Sequence, residues 1–139
     1  MAWTANRQLL ELLAREAAGK PLEAAALGQL ETTFANERFF DTKFYARAGV
    51  AVRRGDIERS LRILEESLNL ADGGVINLDL LGLDAEVSPL LDPLRGQPAF
   101  ADWLQRFRQR RDAMRERMLV LETATDILPP AAVENLIAN

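Results

Sequence analysis

Residues 7–40 and 41–74 of this 139-residue chain can be laid one above the other at a fixed offset of 34, and their apolar positions coincide. Leu10 falls over Phe44, Ala14 over Ala48, Ala17 over Ala51, Ala26 over Ser60, Leu30 over Leu64 and Phe34 over Leu68. A period of this length, with small residues where two helices must cross, marks a helical-hairpin repeat. In such repeats each hairpin buries its apolar faces only by stacking on a neighbour. The expectation is an all-α chain of a kind that scaffolds, binds or dimerises and rarely catalyses.

The punctuation supports helices throughout. Thr4 is placed to cap a first helix to about Ala18, with Leu9, Leu10, Leu13, Ala14 and Ala17 on one face. Gly19-Lys20-Pro21 stops it, and Pro21 opens the next, Leu22 to about Asn36, carrying Ala26, Leu27, Leu30 and Phe34. A third helix, about Asp41 to Arg54, buries Phe44, Ala48 and Ala51. Gly55 ends it and Asp56 caps a fourth, Ile57 to Leu70, with Leu61, Leu64 and Leu68 in one stripe. The period then fails, because Pro89 and Pro98 fall where no helix interior accepts them. Residues 75–97 read as short turns anchored by Val75, Ile76, Leu78, Leu80, Leu81, Leu83, Val87, Leu90, Leu91 and Leu94. Pro98 opens the longest helix, to about Glu122, and Ala131 to Ile137 forms a last short one in the 127–139 tail. Nothing resembling a long linker divides 1–139, so one domain is expected.

Composition narrows the function classes. The chain has neither Cys nor His, which removes disulfides, thiol chemistry, the commonest general base and the commonest transition-metal ligand. A net charge of −4 argues against broad attraction to nucleic acid or to an anionic membrane. No apolar run approaches the roughly 20 residues that span a bilayer, and Met1–Arg7 lacks the layout of a signal peptide. A cytoplasmic protein without cofactor, metal or enzymatic activity is expected.

Gly55-Asp56-Ile57-Glu58-Arg59-Ser60-Leu61, followed by Leu64, Ser67, Leu68 and Leu70, resembles the second half of a tetratricopeptide repeat. Phe44, Ala48 and Ala51 suit that family's first helix. Departures are Arg47 where the family prefers Leu, Ser60 and Ser67 for Ala, Asp72 near the usual Pro, and a first repeat with Pro21 in its turn and Thr33 for Ala. The resemblance covers residues 7–74. Further on, Ser88-Pro89-Leu90-Leu91-Asp92-Pro93-Leu94-Arg95-Gly96-Gln97-Pro98-Ala99-Phe100 is similar to the segment that closes repeat arrays in bacterial multidomain regulators. It implies the C-terminal end of a signalling protein's array.

In the family the first helix of each repeat lines a groove for an extended peptide or a partner helix. Carried over by repeat position, that surface comprises Gln8, Glu11, Leu12 and Arg15 from the first pair, and Thr42, Tyr45, Ala46, Gly49 and Arg53 from the second. Tyr45 is the candidate anchor, as an amphipathic ring of the hot-spot type; a core position beside Phe44 is the equal alternative. Arg15 and Arg53 are placed to receive a carboxylate.

About three repeats are usually needed for stability, and two are present, so the open side of the 57–70 helix requires cover. Phe100, Trp103, Leu104 and Phe107, with Leu90, Leu91 and Leu94, are expected to supply it. Phe100, Leu104, Phe107, Arg111, Met114, Met118 and Leu121 alternate four and three apart, a heptad seam interrupted at Arg111. The distal part, Met114, Met118 and Leu121 with Leu119 and Val120, needs another cover. Three are open: the tail through Ile127, Leu128, Val133, Leu136 and Ile137, a second copy, or another domain. Arg54-Gly55-Asp56 reads as a turn, the Arg106–Arg111 run as a solvated face interleaved with acids, and Asp79, Asp84 and Glu86 as carboxylates without cation-loop spacing. Three functions therefore stand: a protein- or peptide-binding regulatory module, a homodimerisation module through 98–122, and a small-molecule sensor with a pocket between the repeats and 75–97.

Overall fold

The computed structural model describes residues 2–36, 43–70, 78–127 and 130–138. Among them the chain is all-helical: α1 (Ala2–Ala17), α2 (Ala24–Asn36), α3 (Phe44–Arg53), α4 (Ile57–Leu70), a 3-10 helix (Pro89–Leu94), α5 (Pro98–Ile127) and α6 (Pro130–Ala138). No helix among the described residues is long and apolar enough to cross a membrane. The expected punctuation holds at the α3–α4 turn. Gly55 takes φ +86, a conformation that a side chain disfavours, and Asp56 Oδ1 accepts the Arg59 N–H at 3.0 Å as the N-cap of α4. Two boundaries differ. Thr4 lies within the first turn of α1 rather than capping it, and α5 runs on to Ile127 because nothing after Glu122 breaks a helix before Pro129.

α3 is the centre of the fold. Eight of its ten residues are buried, and it packs against α2, α4 and the 3-10 helix. A helix apolar on all sides belongs inside a core. Against α4 the crossing is closed by Ser60, whose hydroxyl donates to the Ala48 carbonyl at 2.7 Å in a fully buried site. Serine at this position is therefore no defect of the repeat pattern, since its one polar atom is satisfied on the neighbouring helix. Against the 3-10 helix the approach is closer still. A Cβ at Gly49 would sit 2.9 Å from the Leu90 carbonyl oxygen and 3.2 Å from Leu90 Cβ.

The expected cover over α4 is present. Phe100, Trp103 and Phe107 are each at most 6% exposed. Trp103 stacks between Phe100 and Phe107, with centroid separations of 5.7 and 5.6 Å. Its edge meets Tyr45 at 6.3 Å and 86°, and its indole N–H donates to the Leu64 carbonyl at 2.8 Å. Leu90, Leu91 and Leu94 are fully buried and Leu104 packs at the margin of the core. Full burial of one such side chain contributes about 1.5–3 kcal/mol before entropy, so this layer replaces what a third hairpin would bury. Of the other anchors expected in this segment, Leu78, Leu81 and Val87 are exposed at 55%, 52% and 62%. They sit on the turns that lead into the 3-10 helix. Val75 and Ile76 lie outside the described residues.

The 34-residue correspondence holds for the second helix of each pair and fails for the first. Leu30 and Phe34 on α2 are buried, as are Leu64 and Leu68 on α4. On α1, however, the buried residues among those described are Ala5, Leu9 and Leu12, while Leu10, Ala14 and Ala17 are exposed. Phe44, Ala48 and Ala51, their partners in the alignment, are buried in α3. The cause is visible in how α1 meets α3. Lys43 Nζ donates to Asn6 Oδ1 at 3.2 Å near one end, and Arg53 reaches Glu16 at 2.8 Å at the other. Both pairs are 37 residues apart, so the two helices lie parallel and are slipped past the repeat register.

Gly49 and Gly28 make a matched test of the α3 contact. Glycine inside a helix ordinarily costs about 1 kcal/mol against alanine. Nothing lies closer than 4.0 Å to a Cβ at Gly28, so Gly28→Ala should raise stability by about 0.5–1 kcal/mol. Gly49→Ala should instead lower it by about 1–3 kcal/mol, because the methyl meets the 3-10 helix backbone. Urea unfolding of the two variants decides this, and equal stabilisation by both would refute the close approach.

Candidate interaction surface

The second half of the expected groove is occupied by the chain itself. Tyr45, Ala46 and Gly49 are buried, so Tyr45 takes the core position and is not an exposed anchor. Burial pushes its phenol far above the ordinary value, and the nearby carboxylates of Asp84 and Asp79 push it further. Arg53 is likewise unavailable to a ligand, with a side chain only 4% exposed. Its guanidinium pairs with both carboxylate oxygens of Glu16 at 2.8 Å. It also donates to the carbonyls of Gly49 at 2.9 Å, Leu90 at 2.7 Å and Pro89 at 3.1 Å. The physical reason is the 3-10 helix, whose six residues leave backbone acceptors that an interior cation satisfies. Thr42 lies outside the described residues.

The first half of the groove stays open. Gln8, Glu11, Leu12 and Arg15 of α1, with Ala26, Gln29 and Leu30 of α2, enclose a cavity of about 140 Å³. Leu12 and Leu30 are buried and form its floor, while Glu11, Arg15 and Gln29 are exposed at its rim. Glu11 stands 3.7 Å from Arg7 on its own helix, and Arg15 forms no ion pair among the described residues. A broader depression of about 670 Å³ adjoins it, sharing Gln8 and Gln29 and running past Ala25, Gly28, Thr32, Thr33 and Arg54. The hydroxyls of Thr32 and Thr33 turn back to the carbonyls of Gly28 and Gln29 at 3.0 and 2.9 Å. The cavity is thus a small slot with an apolar floor, and with a cation unpaired among the described residues, a carboxylate and two amides at its edge.

The Arg-rich run of α5 binds the chain's own acids. Arg106 pairs with Glu65, Arg108 with Glu86, and Arg111 with Glu86 and, at 3.4 Å, with Asp84, while Arg110 donates to the Leu68 carbonyl. Arg111 also lies 5.7 Å over the Phe107 ring and is only 11% exposed. The residue that interrupts the heptad seam is therefore a clasp onto the 78–97 segment. The carboxylates marked in the sequence serve that segment's turns. Asp79 accepts the N–H groups of Leu81 and Leu83 and the Ser88 hydroxyl, and Asp84 accepts the Glu86 N–H. Of the seam beyond Arg111, Met114 and Leu121 are half-buried and Met118 is 56% exposed. α6 packs on α5, yet its Ile137 is 69% exposed. The side chains of Ile127, Leu128, Val133 and Leu136 lie outside the described residues.

Compared with protein-family models, curated proteins and solved structures, the chain matches none of them.

The clasps make stability sensitive to acid. Hydrogen bonds from Arg111 and Arg108 hold Glu86 below its ordinary value of 4.5, and the bond from Arg106 holds Glu65 below it too. A carboxylate whose value is depressed on folding contributes stability fully above 4.5 and loses it as pH falls through the folded value. Urea midpoints should thus be level from neutral pH to about 5 and decline below 4.5. Glu86→Gln should cost less than about 1 kcal/mol at neutral pH and flatten the acid limb. An acid limb identical to the parent's would show that Glu86 has no part in it.

Proposed function

We propose that the chain is a non-catalytic, tetratricopeptide-like interaction module, the closing end of a repeat array in a bacterial regulatory protein of the cytoplasm. It takes an extended polypeptide segment in the α1–α2 slot. The apolar floor of Leu12, Ala26 and Leu30 receives one aliphatic side chain. Gln8 and Gln29 supply donors and acceptors to the segment's backbone, and Arg15 receives a carboxylate one or two residues away. The observation that carries this reading is the contrast between the two arginines. Arg53 is consumed by Glu16 and three carbonyls, whereas Arg15 is exposed at the rim of a cavity. The chain folds its own 3-10 helix over the second pair and leaves the first pair for another molecule.

A peptide-display selection on the full chain tests this. Enriched peptides should carry an aliphatic residue next to Asp or Glu. Arg15→Glu should weaken their binding by at least about tenfold in calorimetry, with its thermal midpoint lowered only slightly, because the side chain is exposed at the end of α1. Selected peptides that bind Arg15→Glu as tightly as the parent, or a selection that enriches nothing, would sink the slot as the binding site.

A further inference from the structure

We propose that the distal half of α5 pairs with the same segment of a second copy of this chain, antiparallel, about a two-fold axis between Met118 and Leu119. This surface uses none of the slot residues and is independent of that reading.

Among the described residues, Arg111 is the last residue of α5 that pairs with the body formed by α3, α4 and the 78–97 segment. Phe100, Trp103 and Phe107 are at most 6% exposed, whereas Met118, Leu119 and Val120 are exposed at 56%, 61% and 66%. The helix continues to Ile127, about 24 Å past Arg111 at 1.5 Å per residue. Met118 and Leu119 stand side by side in water on the protruding helix, while Val120, about 100° further round, points away from them.

The charges around Met118 and Leu119 point to what covers them. Arg115, Met118, Leu119 and Glu122 stand at i, i+3, i+4 and i+7, which places all four on one helix face. Both charged members are exposed, and neither forms an ion pair among the described residues. Leu121 and Ala124, the half-buried positions nearby, lie on a different face, so α6 leaves the quartet open. Read in either direction, the quartet is a charge, two apolar side chains and the opposite charge. An antiparallel two-fold therefore sets Arg115 over Glu122 of the second copy and Met118 over its Leu119, and repeats both contacts by symmetry. Pairing parallel in register would set Arg115 over Arg115 and Glu122 over Glu122, which repels. The axis also brings residue 111 of one copy opposite residue 126 of the other, so each folded body begins where the other's α5 ends. The overlap is short, and the expected affinity is modest, with Kd on the order of 10–100 µM.

Sedimentation equilibrium of the full chain from about 5 to 500 µM should fit a monomer–dimer equilibrium in this range. Arg115→Glu and Glu122→Arg should each weaken the dimer by at least about tenfold, and the double variant should return it to within about threefold of the parent. Arg117→Glu combined with Glu122→Arg should not. All three sites of substitution are exposed, and unchanged urea midpoints establish that each variant folds. The proposal is overturned by a monomer at every concentration, by a dimer indifferent to the 115 and 122 reversals, or by rescue through 117 and 122, which is the signature of parallel pairing.

Discussion

A single guanidinium joins three stretches of this chain that are far apart in sequence. Arg53 closes α3, grips Glu16 at the end of α1, and donates to the carbonyls of Pro89 and Leu90 in the 3-10 helix. A cation this deeply placed is tolerable only when its donors are met and a carboxylate stands beside it. Each partner is therefore held where the other needs it. Move α1, and Arg53 is left with carbonyls alone; move the 3-10 helix, and two donors face nothing. Gly49 completes the constraint from below, since only a residue without a side chain lets the Leu90 backbone come within reach of that cation.

The asymmetry of the molecule follows from this contact. Two hairpins in a repeat present equivalent surfaces, yet here the second is consumed internally and the first is not. The segment after α4 returns across α3, with Leu90, Leu91 and Leu94 as its apolar footing, and hands over to α5, whose Trp103 reaches back to the Leu64 carbonyl. What would be a third repeat in a longer array is replaced by a turn of 3-10 helix and one face of a long helix. The arginines of that helix lie beside the aromatic stripe and fasten it to acids on α4 and on the 78–97 segment.

Much of this was legible from the residues, and the failures have physical causes. Helix positions, the Gly55–Asp56 turn and the Phe100–Phe107 cover follow from spacing, because periodicity and capping are local. The slip of α1 was not legible: the offset of 34 counts residues, whereas the slip is set by the Asn6–Lys43 and Glu16–Arg53 contacts across helices. Repeat position leaves Tyr45 open between groove and core, and the core position is the one it takes. Repeat position also places Arg53 in the groove, and it cannot foresee a later segment folding over that side. One signal did point the right way. Gly49, in the interior of a helix, is costly unless a backbone must come close, and that backbone is the 3-10 helix. Arg111 carried a similar hint, as the one charge in an apolar seam; a cation there needs acids opposite, and Asp84 and Glu86 are those acids.

The uneven anchoring of α5 has a mechanical consequence. Its first half is clamped by aromatic packing and four arginines, and its second half projects about 24 Å beyond the last clamp as a stiff rod. A rod fixed at one end is a lever. A tilt of about 10° at the Arg111 clasp would swing the tip sideways by about 4 Å over that length. The spacing of residues along the rod would be unchanged, so the clasp governs the direction in which the far end points rather than its register.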